Sequence, residues 1–295
     1  MLSLCLSRTI TNSDAFALYL FYNTERRYKL THYDNLVSLL KEMGGVVIGY
    51  SGGVDSTLLA KVSTDSLGKQ AVCVLVESLL IPDSEIDEAV SLAEEYNFNL
   101  IRLKVDVLAV EKVPDNDPQR CYFCKKAVFS HLVKIAQDMG LPYVLDGSNA
   151  TDESDYRPGS KATKELQVRS PLKELGITKE EIRAISRDLG LATWNKPSLA
   201  CLASRIPYGT ALTNELLKQV GDAETILRRL GFKQFRVRHH GDLARIELLP
   251  LDMEKLVTPA MRKYVVEQFS ALGYTYVSMD LYGYRTGSMN ETILD

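Results

Sequence analysis

An apolar run leads directly into a glycine-rich turn in the first quarter of the chain. Residues 46–56 read VVIGYSGGVDS, which indicates a strand up to Tyr50, a turn from Ser51 and a helix beginning near Asp55. Backbone N–H groups at such a turn and at a helix start attract an anion such as phosphate. A carboxylate at Asp55 would repel phosphate unless a divalent cation lay between them. The pattern therefore predicts a site for a nucleotide polyphosphate with Mg²⁺, to which Ser51 and Ser56 add hydroxyl donors.

Two other interpretations of the turn remain open. Gly49 to Gly53 also matches the G-x-S-x-G nucleophile elbow of α/β-hydrolases, in which Ser51 would be the nucleophile. The histidines that could serve as its base are His131, His239 and His240. The elbow leaves Asp55 unexplained and usually follows several earlier strands, so we favour nucleotide binding. The plainer alternative is a tight turn with a capping Asp, whereas the G-x-x-x-x-G-K-[ST] pattern of P-loop nucleotidases does not occur.

Three of the five cysteines have a spacing that suggests chemistry. Cys121 and Cys124 form a C-x-x-C pair at a predicted helix start, where the helix dipole and the flanking cations are expected to lower the thiol pKa. Alone, the pair could be a redox dithiol or half of a zinc site. Cys201 lies much later, in the loop KPSLACLASRIPYGT, and three thiolates in a nucleotide-binding protein fit a 4Fe-4S cluster with one open iron. Cys5 and Cys73 are predicted to be structural.

A basic strand is predicted in the last third of the chain. In the run FRVRHH at residues 235–240, alternation places Arg236 and Arg238 on one face, spaced to clamp a phosphate. The alternative is the solvated outer face of an antiparallel sheet. Glu247, on the following strand, could bind a metal or simply pair with an arginine.

Composition excludes several classes of protein. The 295 residues are 45% apolar and 25% charged, with a net charge of −3, which is ordinary for a globular chain of one large or two modest domains. The charge does not favour a dedicated nucleic-acid binder. The sequence has no apolar run long enough to span a membrane and no signal-peptide pattern, so we expect a cytoplasmic location with reduced thiols.

Strands and helices alternate over the first two thirds of the chain, which predicts an α/β fold with a parallel sheet covered on both faces. The predicted strands are Val46–Tyr50, Ala71–Val76, Asn99–Lys104 and Tyr143–Asp146. Residues 151–161 have no periodicity and are predicted to be a loop. An αββαβ order follows, with one long helix from Met253 to Leu272, and indicates a smaller α+β domain. We therefore expect an unassigned segment at residues 1–28, an ATP-binding domain at 29–206 and a small domain at 207–295.

Six motifs occur in order along the chain. They are SGGVDS, Asp146-Gly147-Ser148, residues 155–159 (DYRPG), residues 204–209 (SRIPYG), Arg236-Val237-Arg238 and residues 280–290 (DLYGYRTGSMN). SGGVDS after an apolar strand resembles the PP-loop of the ATP pyrophosphatase superfamily. The ordered set resembles the LarE family, ATP-dependent sulfurtransferases that make the nickel-pincer nucleotide cofactor of lactate racemase. The resemblance covers roughly residues 34–290.

That resemblance implies a reaction in two stages. A carboxylate of pyridinium-3,5-biscarboxylic acid mononucleotide is adenylated by ATP, and a sulfur nucleophile then displaces AMP to give a thiocarboxylate. Some members of the family sacrifice one cysteine, at a position where this chain has Ala200, and others hold a 4Fe-4S cluster on three cysteines. Because all three cluster positions are cysteines here, the resemblance predicts the cluster-dependent version, with sacrificial transfer from Cys201 as the alternative.

The resemblance also assigns site residues. Those expected to hold ATP phosphates and Mg²⁺ are Ser51, Gly52, Gly53, Asp55 and Ser56, with Asp146 nearby. Those expected to hold the substrate phosphate are Ser204, Arg236 and Arg238, with Arg205 as a further candidate. The expected cluster ligands are Cys121, Cys124 and Cys201, and Glu224 and Glu247 are candidates for a metal or polar contact. The family further implies a homo-oligomer.

Other functions are compatible with a PP-loop. A tRNA thiolase can also carry three cluster cysteines but needs a basic surface, which the net charge does not favour. An amide synthetase such as NAD synthetase needs no cysteine set. A nucleotide-binding regulatory module would perform no chemistry at all. The expected ligand in the favoured case is a small-molecule nucleotide, with no membrane partner.

Overall fold

The computed structural model of the protein describes residues 31–154, 158–198, 200–285 and 287–289. The segment 1–28, Cys5, residues 155–157 of the DYRPG motif, and Thr286 and Asn290 of the last motif lie outside the described residues. Within the part described, no helix is both long enough and apolar enough to cross a membrane.

The first sheet has four parallel strands, as predicted. They are β1 (Val46–Tyr50), β2 (Ala71–Glu77), β3 (Asn99–Lys104) and β4 (Tyr143–Leu145), and their order across the sheet is β3-β2-β1-β4. Buried apolar residues dominate the two central strands, β1 and β2, as expected for a sheet covered on both faces. The carboxyl ends of all four strands lie at one edge, where the glycine-rich turn follows β1.

Helices cover both faces of this sheet. They are α1 (residues 31–43), α2 (Val54–Leu67), α3 (Asp83–Glu95), α4 (Arg120–Met139), α5 (Gly159–Glu165), α6 (Pro171–Glu174) and α7 (Lys179–Asp188). Leu58 of α2 and Ile182 of α7 share one core cluster with Ile48, whereas Leu132 of α4 packs with Val47 on the other face. Because successive side chains of β1 point to opposite faces of the sheet, the strand contributes to two separate cores.

The prediction of a loop at residues 151–161 is only partly correct. A 3₁₀ turn occupies Ala150–Ser154, and α5 begins at Gly159. The short helix α6 was also not predicted, since four residues are too few to show an amphipathic period.

The second sheet is small and mixed, and it lies in the region where the αββαβ order predicted a smaller α+β domain. Its strands are β5 (Phe235–His240), β6 (Leu243–Leu248) and β7 (Tyr276–Met279), with β5 antiparallel and β7 parallel to β6. Its helices are α8 (Asn214–Arg229), α9 (Pro250–Leu256) and α10 (Pro259–Ala271). The prediction of one helix from Met253 to Leu272 is wrong, because Pro259 lacks an N–H and starts a new helix after Thr258.

A third apolar cluster joins the two parts of the chain. Leu202 and Ile206 of the Cys201 loop pack with Leu217 of α8 and with Val107, and Cys124 borders the same cluster. The loop is therefore anchored beside the first turn of α4. The domain boundary at residue 207 falls within this cluster and stays a prediction.

Candidate functional site

The glycine-rich turn has the geometry that close approach of a phosphate requires. Gly52 has a φ of +67°, and a Cβ at this position would lie 2.7 Å from the Cβ of Ala89. A side chain is therefore excluded both by the backbone conformation and by α3. The hydroxyls of Ser51 and Ser56 lie 3.0 Å apart, and the backbone N–H of Ser51 donates to Ser56 Oγ at 3.2 Å.

A lysine that the sequence did not reveal lies at this turn. Lys179, the first residue of α7, places its Nζ 2.5 Å from Asp55 Oδ2, and Asn149 Nδ2 donates to Asp55 Oδ1 at 3.3 Å. Neither side chain belongs to a motif that can be read locally, since each is about a hundred residues from Asp55 along the chain. The turn thus has both a carboxylate suited to Mg²⁺ and a cation suited to phosphate.

Asp146 supports the neighbouring loop from within. Its buried carboxylate accepts from the backbone N–H and the hydroxyl of Ser148 and from Ser170 Oγ at 2.6 Å. The next residue, Gly147, packs so closely on α2 that a Cβ would lie 3.2 Å from the backbone nitrogen of Ser56. Asp146 therefore lies near the turn as predicted, and its carboxylate oxygens accept the hydrogen bonds that stabilise the loop.

The hydrolase alternative has no support in the geometry. The hydrogen bonds of Ser51 within the described residues are those with Ser56, and none involves a histidine. His239 lies in β5 beside Tyr274, and His131 is exposed on α4.

A cavity of about 250 Å³ lies between the first turn of α4, the Cys201 loop and the second sheet. Cys121 and Ala200 line it, as do Ser204, Arg236 and Arg238. The structure thus brings the predicted phosphate-binding residues and one predicted thiol to the same space. Four further lining residues were given no individual role from the sequence, although three of them belong to the motifs at residues 204–209 and 280–290: Arg120, Tyr208, Tyr284 and Arg285.

Both arginines of the basic strand are buried, so the solvated-face alternative is wrong. Arg236 is 6% exposed and Arg238 is 4% exposed. Arg238 pairs with Glu247 at 2.7 Å, whereas Arg236 donates to the carbonyl oxygen of Ser198 at 2.7 Å. Burial and the neighbouring Arg205 lower the pKa of the Arg236 guanidinium, as expected for a positive charge with little compensation.

The three thiols are neighbours, and the surroundings of the two α4 thiols, Cys121 and Cys124, favour the neutral form. Burial and the nearby Cys201 raise the pKa of Cys121 and raise that of Cys124 to about 12. The predicted lowering is therefore wrong, because desolvation outweighs the attraction of Arg120 and Lys125. Cys121 and Cys124, three residues apart, occupy one face of α4. Cys121 lines the same cavity as Ala200, and Cys124 borders the cluster that contains Leu202, so the loop residue Cys201 lies near the α4 pair.

No metal centre is formed by these side chains as they stand. In the described ranges, no group of three His, Cys, Asp or Glu residues is arranged to hold a metal ion. The donor chemistry nonetheless fits an iron–sulfur cluster, since the three neighbouring groups are all thiols, the ligands these clusters prefer. Cys73, buried in β2, is structural as predicted.

Arg205 and Glu224 form a buried ion pair that holds the Cys201 loop. Arg205 Nε and Nη2 donate to the two carboxylate oxygens at 2.8 and 3.0 Å, and Nη1 donates to the carbonyl oxygen of Ala200. Arg205, at 2% exposed, is therefore engaged by protein groups. For Glu224, and for Glu247 beside Arg238, these contacts favour the arginine-pairing role over metal binding.

Replacing Glu224 by Gln is expected to lower the free energy of unfolding by about 3 kcal/mol, because Arg205 would stay buried without its counter-charge. Urea unfolding of the purified protein measures this. The matched control is Asp222→Asn on the same helix, where the partner Lys218 is exposed and the expected cost is within about 0.5 kcal/mol. Equal losses in the two variants would contradict a stabilising role for the buried pair.

Comparisons with known proteins first define the class. A family model described as NAD synthase matches residues 32–127, which include β1 and the glycine-rich turn. The GMP synthase of Clostridium kluyveri is 26% identical over 66% of this chain and 42% of its own length. The fold is therefore that of the PP-loop proteins, with a parallel sheet flanked by helices.

Two relatives align with this chain far beyond the residues that the family model matches. An uncharacterised protein of Synechocystis is 42% identical over 88% of this chain and 97% of its own length. The pyridinium-3,5-bisthiocarboxylic acid mononucleotide synthase of Lactiplantibacillus plantarum is 42% identical over 88% of this chain and 93% of its own length. The chain belongs to the family of that synthase, the LarE family, as the ordered motifs predicted.

Proposed function

We propose that the protein is an ATP-dependent sulfurtransferase that converts the carboxylates of pyridinium-3,5-biscarboxylic acid mononucleotide into thiocarboxylates, for nickel-pincer nucleotide synthesis. The observation that carries the proposal is the cavity in which Arg236 and Arg238 lie beside Cys121 and the Cys201 loop. An amide synthetase needs no such set of thiols. The Lactiplantibacillus plantarum relative, by contrast, is named for a thiocarboxylate product.

In the first stage, a carboxylate oxygen of the substrate attacks the α-phosphorus of ATP. The bond from that phosphorus to the bridging oxygen breaks, and pyrophosphate leaves. The N–H groups of the turn at Gly52 and Gly53 and the Lys179 ammonium bind the departing phosphates. Asp55 would hold Mg²⁺, which would offset the negative charge of the phosphates. The carboxylate becomes an acyl adenylate, whose leaving group is AMP.

In the second stage, a sulfur nucleophile attacks the acyl carbon and AMP departs with the electron pair of the C–O bond. Ser204, Arg236 and Arg238 hold the phosphate of the substrate, which fixes the ring in the cavity. Arg205, paired with Glu224, positions the loop that carries Ser204 and Cys201.

The sulfur nucleophile is supplied next to the α4 thiols. Cys121, Cys124 and Cys201 would hold a 4Fe-4S cluster, which would supply the sulfide. Binding of iron would displace the protons of these thiols, because thiolate is the form that binds metal.

The test is an anaerobic reaction of the iron-reconstituted protein with the dicarboxylate nucleotide, ATP, Mg²⁺ and sulfide. We expect AMP, pyrophosphate and a product in which sulfur has replaced a carboxylate oxygen, detected by mass spectrometry. AMP formation without sulfur incorporation would overturn the sulfurtransferase assignment. Absence of AMP with this substrate would overturn the proposed substrate.

A further inference from the structure

Arg120 is a cavity residue to which neither the motifs nor the proposed stages assign a role. It is the first residue of α4, directly before Cys121, and both residues line the cavity. Its side chain is 5% exposed, and its guanidinium carbon lies 4.3 Å from the centre of the Tyr208 ring. The ring therefore fixes the guanidinium plane at the cavity wall.

The guanidinium of Arg120 is buried, and two of its three nitrogens have no hydrogen-bond partner among the residues that the structure describes. These are the enclosed Nε and Nη1 atoms. By contrast, Arg205 is paired with Glu224, and Arg238 is paired with Glu247. The Tyr208 ring attracts the charge but leaves the N–H donors unsatisfied, and buried unsatisfied donors of a charged group are costly. Such a group at a cavity wall is suited to an anionic ligand.

We propose that Arg120 binds a ring carboxylate of the substrate, an inference that rests on the proposed function. Ser204, Arg236 and Arg238 lie on the loop and on β5, whereas Arg120 approaches from α4, beside the thiols. A guanidinium presents two parallel donors that match the two oxygens of a carboxylate. The carboxylate held by Arg120 is thus the one next to Cys121, where sulfur arrives.

Two nucleotides that differ only in this group provide the test. Nicotinic acid mononucleotide carries a ring carboxylate, and nicotinamide mononucleotide carries an amide in its place. Isothermal titration calorimetry of the full chain with each nucleotide gives the carboxylate preference as a ratio of Kd values. We expect the wild-type protein to prefer the carboxylate by about 10- to 100-fold, as charge-assisted hydrogen bonds predict.

Four variants separate carboxylate binding by Arg120 from phosphate binding by the arginines of β5. Arg120→Gln is expected to bind both nucleotides equally, and Arg120→Lys to retain part of the preference because it keeps the charge. Arg236→Gln is expected to weaken the binding of both nucleotides to the same extent, since both carry the phosphate. Lys134→Gln, which removes an exposed cation from the same helix, is the matched control and should bind as wild type. Thermal melting of each variant establishes that it is folded.

The outcomes distinguish this inference from the proposed function. A wild-type preference that survives in folded Arg120→Gln, or a wild-type protein that binds both nucleotides equally, would overturn the role of Arg120 and leave the sulfurtransferase proposal standing. A wild-type protein that binds neither nucleotide would overturn both.

Discussion

Replacing Asp55 by Asn is expected to lower the rate of AMP formation by on the order of 10²- to 10³-fold, the usual effect of removing one charge-stabilising group from a reaction centre. The carboxylate lies at the glycine-rich turn, with its oxygens 2.5 Å from Lys179 Nζ and 3.3 Å from Asn149 Nδ2. The amide has nearly the same shape but no charge with which to hold Mg²⁺ between itself and the phosphates. The measurement is AMP release with the dicarboxylate nucleotide over a range of Mg²⁺ concentrations.

Asp65→Asn is the matched control for this variant. Asp65 lies on the same helix, α2, and pairs with the partly exposed Lys61 at 2.6 Å. Its loss is expected to leave the rate within about twofold of wild type, because surface pairs contribute little. Wild-type activity in Asp55→Asn at all Mg²⁺ concentrations would remove Asp55 from the metal site and would weaken the nucleotide assignment of the turn.

Replacing Cys201 by Ala is expected to abolish thiocarboxylate formation while AMP formation stays within about threefold of wild type. In the proposed mechanism the thiol acts only in the second stage, and the groups proposed to bind the ATP phosphates lie on the turn after β1. If three thiols hold a cluster, Cys121→Ala and Cys124→Ala lose sulfur transfer as well, and iron analysis of anaerobically purified protein shows a loss of iron in all three variants. Product mass and iron content are the two measurements.

Cys73→Ala provides the control for thiol content. Cys73 is fully buried in β2 and its thiol touches no part of the cavity, so sulfur transfer should stay at the wild-type rate. Sacrificial transfer makes a different prediction. Cys121→Ala and Cys124→Ala would stay active, and Cys201 of the wild-type protein would lose the mass of hydrogen sulfide in one turnover. Thiocarboxylate formation by Cys201→Ala at the wild-type rate would contradict both versions.

Much of the site was predictable because its parts are encoded locally. The strand before Ser51 and the two glycines after it are contiguous, so the sequence alone predicts the turn and its ligand class. The alternation that places Arg236 and Arg238 on one face is equally local. The burial of that face was not predictable, because it depends on the Cys201 loop and the C-terminal residues that pack over the strand.

Ion pairs between residues distant in sequence were the main feature of the site that sequence analysis did not predict. Lys179 reaches Asp55 from a helix 124 residues later, and Arg205 was expected at the substrate but is bound to Glu224. The direction of the Cys121 pKa shift was wrong for a related reason. The helix dipole and flanking cations are local, whereas the desolvation that dominates comes from residues brought in by the fold.

The sequence by itself determined the order of the strands, the glycine-rich turn and the family, since these depend on hydrophobic periodicity and on contiguous motifs. Only the tertiary structure decided which charges are compensated. Arg205 and Arg238 have buried carboxylate partners, whereas Arg120 lines the cavity and has no such partner among the described residues. The physical reason is that the electrostatic role of a side chain depends on burial and on the groups around it, and both arise only when distant segments pack together.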